Sequence, residues 1–173
     1  MFLESSGIAI SEPVTMVTDY MLASQAWLYG RALRRKAGED APAAVNKWIN
    51  GFYAAAAGAL AGGALHGLQL MLSRSALIVL LLATVVAVTA GAFSLLEAGL
   101  ESVRRPEARE PLRRRPIVRW LRTMAAAASA AGLIALAGPS LHEHFNQNDL
   151  AHIVLMLGLH SGYRAASLRH GLG

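Results

Sequence analysis

The sequence predicts an all-α integral membrane protein in which about five helices cross the bilayer. Hydrophobic residues make up 54% of its 173 residues, charged residues only 16%, and the mean hydropathy is +0.39. A globule of this size leaves much of its area in water, so a soluble chain could not hide so much apolar surface. Long apolar segments and a one-sided distribution of cations point the same way. We therefore expect much of the apolar surface to contact lipid rather than water.

Five segments are apolar enough, or nearly so, for a helix to cross the hydrocarbon layer, which takes about 20 residues. We expect them within one membrane domain covering residues 1–173. The first is the most polar, and Thr15 and Asp19 are among its interruptions. Its start is favoured by Ser11 as a helix cap and Pro13 in the first turn. A cleavable signal peptide is not expected, because a basic n-region is missing. The predicted spans are 14–29, 48–72, 76–98, 117–137 and 150–168.

The cations assign an orientation to these spans. Every lysine and arginine except Arg74 falls in the first-to-second connection, around the third-to-fourth connection, or at the end of the fifth span. Cytoplasmic loops carry the excess of basic residues in membrane proteins. We therefore expect an inner-membrane protein with its N-terminus outside and its C-terminus in the cytoplasm.

The basic loop at 101–116 is expected to anchor this topology and to contact anionic lipids. A nucleic-acid partner is not expected, because the basic residues do not share a face with stacking aromatics. The chain has no cysteine, which excludes disulfides, thiolate metal sites and thiol catalysis. The expected partners are membrane lipids, with a homo-oligomer or a larger membrane complex as a further expectation.

Small residues predict where the helices pack. In span two they recur every four positions, as in Ala55, Ala59, Gly63 and Gly67. Such rows let a second helix approach closely, which is how membrane helices gain contact when lipid gives no hydrophobic driving force. We expect span two to be central, and the bulky span three to face lipid.

Ionisable side chains inside a span are costly, so they generally face the bundle interior and pair with one another. Helical rise places Asp19, His66, Asp149 and His152 at a similar outer depth, and His160 lies on the same stripe of span five. Glu12, His142 and His144 would lie just above them. Two imidazoles and one or two carboxylates are what an open zinc site uses.

The first hypothesis is therefore a zinc-dependent hydrolase of a lipid or small amphiphile. Here His66 and His152 hold zinc with His160 as a further candidate ligand, and Asp19 and Asp149 are the catalytic carboxylates. Asp19 would orient water or act as the base, while Asp149 could also complete the ligand set. Haem ligation by His66 and His160 is disfavoured, because their depths differ.

The second hypothesis is a non-catalytic membrane module, such as an accessory subunit, sensor or carrier. In that case the histidines only form interhelical hydrogen bonds, as polar side chains often do in membranes. Asp149 would only complement the positive end of its helix, with Asn146 or Asn148 as the cap. No P-loop, nucleophile elbow or HExxH motif decides between the two hypotheses.

Three blocks carry a resemblance to a known family: "ISEPVTMVTDYMLA" at 10–23, "GGALHG" at 62–67 and "FNQNDLAHIVLMLGL" at 145–159. Together they resemble an uncharacterised bacterial family of small multi-pass membrane proteins, a domain of unknown function. In that family the last block usually has a histidine where this chain has Gln147, which implies one candidate ligand fewer here.

More distantly, a helix with His66 and a last helix with His152 is similar to the layout of the alkaline ceramidase and adiponectin-receptor superfamily. That resemblance implies zinc-dependent hydrolysis of a lipid amide. The chain departs from it in having five predicted spans rather than seven. It also has Gly62 where a serine would lie, and Asn148 where a histidine would lie. Resemblance at this level argues for fold more than for function.

Overall fold

The computed structural model describes residues 3–5, 8–104, 111–138 and 145–172, and five α-helices account for most of them. The helical prediction is confirmed. A short antiparallel ribbon that was not predicted precedes the helices, with Leu3 opposite Ile10. The elements are β1 (Leu3–Ser5), β2 (Ile8–Ile10), α1 (Pro13–Ala37), α2 (Ala43–Leu68), α3 (Arg74–Arg104), α4 (Pro111–Ala137) and α5 (Gln147–Arg169).

The helix ends correct two sequence expectations. Pro13 lies in the first turn of α1 as predicted, but Ser11 is not its cap: Glu12 holds that position without a side-chain cap. The Ser11 hydroxyl instead donates to the carbonyl oxygen of His66, which ties the start of α1 to the end of α2. Helix α2 ends at Leu68 rather than at 72, because the chain turns there while its residues are still apolar.

The helices alternate in direction, so that α1 and α5 run parallel, side by side. Interhelical hydrogen bonds pair Thr15 with Asn146 and Thr18 with His152 near the start of both helices. Tyr29 pairs with His160 further along both. Because the residue numbers of the paired side chains increase in the same direction along both helices, α1 and α5 are parallel. The first and last helices of the chain are thus neighbours.

Glycines bring α2 close to both of its neighbours. On one side, a Cβ at Gly63 would lie 2.5 Å from a ring carbon of Tyr20 on α1. On the other side, a Cβ at Gly91 of α3 would lie 2.9 Å from the backbone nitrogen of Ala55 on α2. Gly67 likewise faces Met16. Helix α2 therefore lies between α1 and α3, packed through the small residues that the sequence singled out.

Helix α3 presents a broad apolar surface. Only 6% of its most apolar 18-residue window is buried, and Val79, Val86 and Phe93 are each about two-thirds exposed. Exposed patches of this kind mark contact with a membrane or a partner. Within the described ranges, Arg74–Arg104 and Pro116–Leu136 are the two helices long and apolar enough to cross a membrane. Helix α2 is rich in Gly and Ala, and α1 and α5 carry polar groups, which lowers their hydropathy.

The main hydrophobic core lies toward the end of the bundle where α1 ends and α2 begins. Trp48, Ile49 and Phe52 of α2 are fully buried there, together with Leu33 of α1 and Ala165 of α5. The opposite end of the α1–α5 contact is polar instead. That end contains the candidate site.

Candidate functional site

Asp19 on α1 lies against His152 on α5. The Asp19 Oδ1 and His152 Nε2 atoms are 3.4 Å apart, and the Asp19 residue is only 4% exposed. The other ring nitrogen of His152, Nδ1, lies 3.1 Å from the Thr18 hydroxyl oxygen. The Thr18 hydroxyl also donates to the Thr15 carbonyl oxygen at 3.0 Å. The contact with Thr18 turns Nε2 of His152 toward Asp19.

Asp149 closes the same cluster from the start of α5. Its Oδ2 atom accepts from the Asn146 backbone nitrogen at 2.8 Å, and the Asn146 side chain accepts from the backbone nitrogens of Asn148 and Asp149. This is a reciprocal capping box. Of the two cap candidates in the sequence, Asn146 and Asn148, the structure shows Asn146 as the cap, with Asp149 in the first turn of the helix. Asn146 also donates to the Thr15 hydroxyl oxygen at 3.3 Å. We call Thr15, Thr18, Asp19, Asn146, Asp149 and His152 the Asp19 cluster.

His66 lies beside this cluster at the end of α2. Its Nδ1 atom is 3.0 Å from Glu12 Oε2, and both side chains are about one-third exposed. His66 is close enough to His152 to interact with it electrostatically. Glu12 and Asp149 interact with Asp19 in the same way. The structure therefore brings Asp19, His66, Asp149 and His152 to one end of the bundle.

Two carboxylate oxygens in the cluster have no hydrogen-bond partner. They are Oδ2 of Asp19 and Oδ1 of Asp149, and Asp149 is 0% exposed. The Asp19 carboxylate faces Gly62 on α2, where a Cβ would lie 3.5 Å from both of its oxygens. Buried polar atoms are nearly always paired, so these two oxygens are the exceptions within the Asp19 cluster.

His160 belongs to a second polar group, which we call the Tyr29 cluster and which consists of Gln25, Tyr29 and His160. The Tyr29 hydroxyl lies 2.9 Å from His160 Nδ1 and accepts from Gln25 Nε2 at 3.1 Å. The Tyr29 ring also stacks on Tyr163 with centroids 4.5 Å apart. His160 is eight residues beyond His152, or roughly 12 Å along α5. The structure thus separates His160 from the other predicted ligands.

An open groove of about 630 Å³ runs along α1 and is lined by Gln25 and Tyr29 of the Tyr29 cluster. Helix α1 forms most of it, and Met156 lines it from α5, one turn after His152 and one turn before His160. Its walls are mainly apolar. Its lining residues are Val17, Tyr20, Met21, Ser24, Gln25, Leu28, Tyr29 and Met156.

The predicted zinc ligand set stays a prediction. Within the described ranges no three histidine, aspartate or glutamate side chains form a metal-binding group. His142 and His144, which the sequence placed above the site, lie outside the described residues. Sequence reasoning missed Thr18 and Tyr29 as partners of the two histidines. The sequence did contain a signal for both residues, because Thr18 is next to Asp19 and Tyr29 lies one helical turn after Gln25 on α1.

Comparison with known proteins places the chain in a family but assigns it no activity. No curated protein and no solved structure matches it. The similarity to the ceramidase superfamily therefore stays a prediction. The model of the DUF6962 family, described as a family of unknown function, matches residues 14–128, which is more than half of the chain. This match includes Asp19 and His66 but ends before α5. The chain belongs to the DUF6962 family of unknown function.

Proposed function

We propose that the protein is an inner-membrane protein whose five helices all cross the bilayer, with the N-terminus outside and the C-terminus in the cytoplasm. Three observations support this topology: the exposed apolar face of α3, the glycine-mediated contacts of α2, and the alternating helix directions. Lys36 near the end of α1 donates to the Leu172 carbonyl oxygen after α5, so these two ends share one side. Lipids would then cover α3, and a second copy or a larger complex could share that face.

Within this bundle, we infer a non-catalytic membrane module, such as an accessory subunit, sensor or carrier, whose polar residues join helices. The observation that carries this inference is that each histidine predicted as a ligand already contacts a side chain of another segment. His152 contacts Thr18 and Asp19, His160 contacts Tyr29, and His66 contacts Glu12. Contacts of this kind fix one helix against another. The polar residues therefore hold α1 between α2 and α5.

Metal analysis combined with melting curves tests this assignment. The protein is purified in detergent without chelators, supplied with zinc and then desalted. If the histidines join helices, wild type keeps no stoichiometric zinc. His66→Ala and His152→Ala should then each lower stability by about 0.6 to 2 kcal/mol, as expected for a membrane hydrogen bond. Stoichiometric zinc that both variants lose would contradict the assignment.

Zinc-dependent hydrolysis of a lipid or small amphiphile is the second candidate. It is favoured by the direct contact of Asp19 with His152, at the end of the bundle where His66 and Glu12 also lie. His66 and His152 would hold the metal, with Asp149 as a further carboxylate and Asp19 as the base. Bound zinc would supply a water activated at neutral pH. In this case activity and zinc disappear together in both histidine variants, while the helical fold is retained.

A further inference from the structure

In both Asp19 and Asp149, one carboxylate oxygen contacts another residue and the other has no hydrogen-bond partner. Asp19 turns Oδ1 toward His152, and Asp149 uses Oδ2 at the start of α5. Asp19 Oδ2 and Asp149 Oδ1 are both buried without a hydrogen-bond partner. The residues are 4% and 0% exposed, so bulk water does not satisfy these atoms. Two carboxylates close enough to interact thus present free oxygens inside the bundle.

In the described ranges, His152 is the basic side chain that contacts Asp19, and Asp149 accepts a hydrogen bond from the Asn146 backbone nitrogen. No lysine or arginine in the described ranges forms an ion pair with Asp19 or Asp149. The lysines nearest to them in sequence are occupied elsewhere, Lys36 with Leu172 and Lys47 with Glu97. The second oxygen of each carboxylate is buried without a compensating cation or hydrogen bond, which is costly. A ligand with positive charge would remove that cost.

The neighbouring helix leaves room beside the free oxygens. The Asp19 carboxylate points at Gly62 of α2, and a Cβ there would stand 3.5 Å from both oxygens. A methyl group fits at that distance without a clash, so close packing does not require a glycine at this position. Gly63, the next residue, differs because a Cβ there would collide with Tyr20. The missing side chain at Gly62 leaves space next to the carboxylate.

We propose that Asp19 and Asp149 bind a hard cation such as Na⁺, Mg²⁺ or Ca²⁺ between α1 and α5, beside Gly62. The free donors are carboxylate oxygens, and hard cations prefer oxygen ligands, whereas zinc favours the nitrogen and sulfur of histidine and cysteine. This inference rests on the proposed non-catalytic membrane module and names a ligand for its polar site. Water and neighbouring backbone oxygens would complete the coordination. The ion would hold the start of α5 against α1.

A thermal titration of the whole protein in detergent tests the proposal. The protein is exchanged into choline chloride, and NaCl, MgCl₂ or CaCl₂ is added at constant ionic strength. A ligand that binds the folded state raises the melting temperature in a saturable way. We expect such a rise with at least one of the three salts. Asp19→Asn and Asp149→Asn should each abolish it, while Asn at 149 keeps an oxygen for the Asn146 amide.

Two further variants separate ion binding from folding. Gly62→Ala places a methyl group in the space beside Asp19 without a clash, and it should raise the salt concentration at which half of the melting-temperature rise is reached. Glu97→Gln removes one negative charge at the Lys47 pair, at the other end of α2, and should respond as wild type does. Failure of the aspartate variants to fold leaves the Gly62→Ala comparison as the test.

Three results would overturn the proposal. The first is the absence of a saturable response to any of the three salts. The second is an undiminished response in Gly62→Ala and in the aspartate variants that fold. The third is a response to zinc alone that His66→Ala removes. Only this last result, with zinc-dependent hydrolysis, also counts against the proposed non-catalytic function. A missing salt response without zinc binding refutes the ion site and leaves that function standing.

Discussion

Thr18 and His152 are 134 positions apart in the sequence, yet Thr18 Oγ1 lies 3.1 Å from His152 Nδ1. This contact joins the first helix to the last and orients the imidazole toward Asp19. The hydroxyl also donates to Thr15, so it links the backbone of α1 to the ring on α5. Replacing the Thr18 hydroxyl with a methyl group therefore tests this contact between α1 and α5.

Thr18→Val should lower the stability of the protein by about 0.6 to 2 kcal/mol, because it removes an interhelical hydrogen bond but keeps the shape of the side chain. Thr84→Val is the matched control, since the Thr84 hydroxyl bonds only the Leu80 carbonyl of its own helix in the described structure. Denaturation in detergent measures both variants. Equal losses would show that the Thr18–His152 contact does not stabilise the bundle.

Reporter fusions should place Gly38, Arg104 and Leu172 in the cytoplasm and Ser73 outside. The reason is that basic residues accumulate next to the first three positions, while Arg74 is the cation beside Ser73. Alkaline phosphatase reports the outside and a fluorescent protein reports the cytoplasm. A cytoplasmic signal at Ser73 would refute the proposed crossing of α2 and α3.

Gly91→Ala should destabilise the protein by about 1 to 3 kcal/mol, because the new methyl group would meet the α2 backbone at Ala55 N. A backbone cannot move aside as a flexible side chain can. Gly132→Ala on α4 is the matched control: a Cβ there meets nothing within 4 Å. Because alanine has a higher helix propensity than glycine, Gly132→Ala should raise stability by up to about 1 kcal/mol. Similar melting shifts for the two variants would contradict the close α2–α3 contact.

Lys47 should contribute stability that depends on pH. Its ammonium group donates to Glu97 at 2.5 Å and lies 3.2 Å from Glu101, and these hydrogen bonds raise the pKa of Lys47 above its ordinary 10.5. Because the pKa of Lys47 is higher in the folded state than in the unfolded state, its charge stabilises the fold fully at pH values below 10.5. This contribution is lost as the pH rises through the raised pKa.

Melting curves of wild type and Lys47→Gln measured between neutral and strongly alkaline pH check this expectation. The difference between them should be small, because the pair is exposed. It should be constant at neutral pH and shrink above about 10.5. A difference that grows at alkaline pH would mean that Lys47 acts through something other than its charge.

Sequence hydropathy located the helices, because each predicted span lies within a helix apart from the last residues of span two, although α1 and α3 extend beyond their spans. It also limited the cap of α5 to Asn146 or Asn148, and it indicated that Asp19, Asp149 and the histidines would face the bundle interior, since buried ionisable groups must find partners. It did not identify which histidine goes with which residue. Spacing fixes the angle between side chains of one helix, but not how that helix is rotated against a neighbour far along the chain. That is why Tyr29 was missed, and why His160 was grouped with His152.

The parallel neighbours α1 and α5 also set an order of events during synthesis. Thr18 leaves the ribosome 134 residues before His152, which is roughly 7 to 27 s at 5 to 20 residues per second. Throughout that interval the polar side of α1 has no partner from α5, and any nascent chain that stops before α5 keeps Asp19 without His152. In the proposed five-span topology, the least apolar helix would enter the membrane first and be the last to obtain its partner, so its retention would depend on α2 and on the insertion machinery until translation ends.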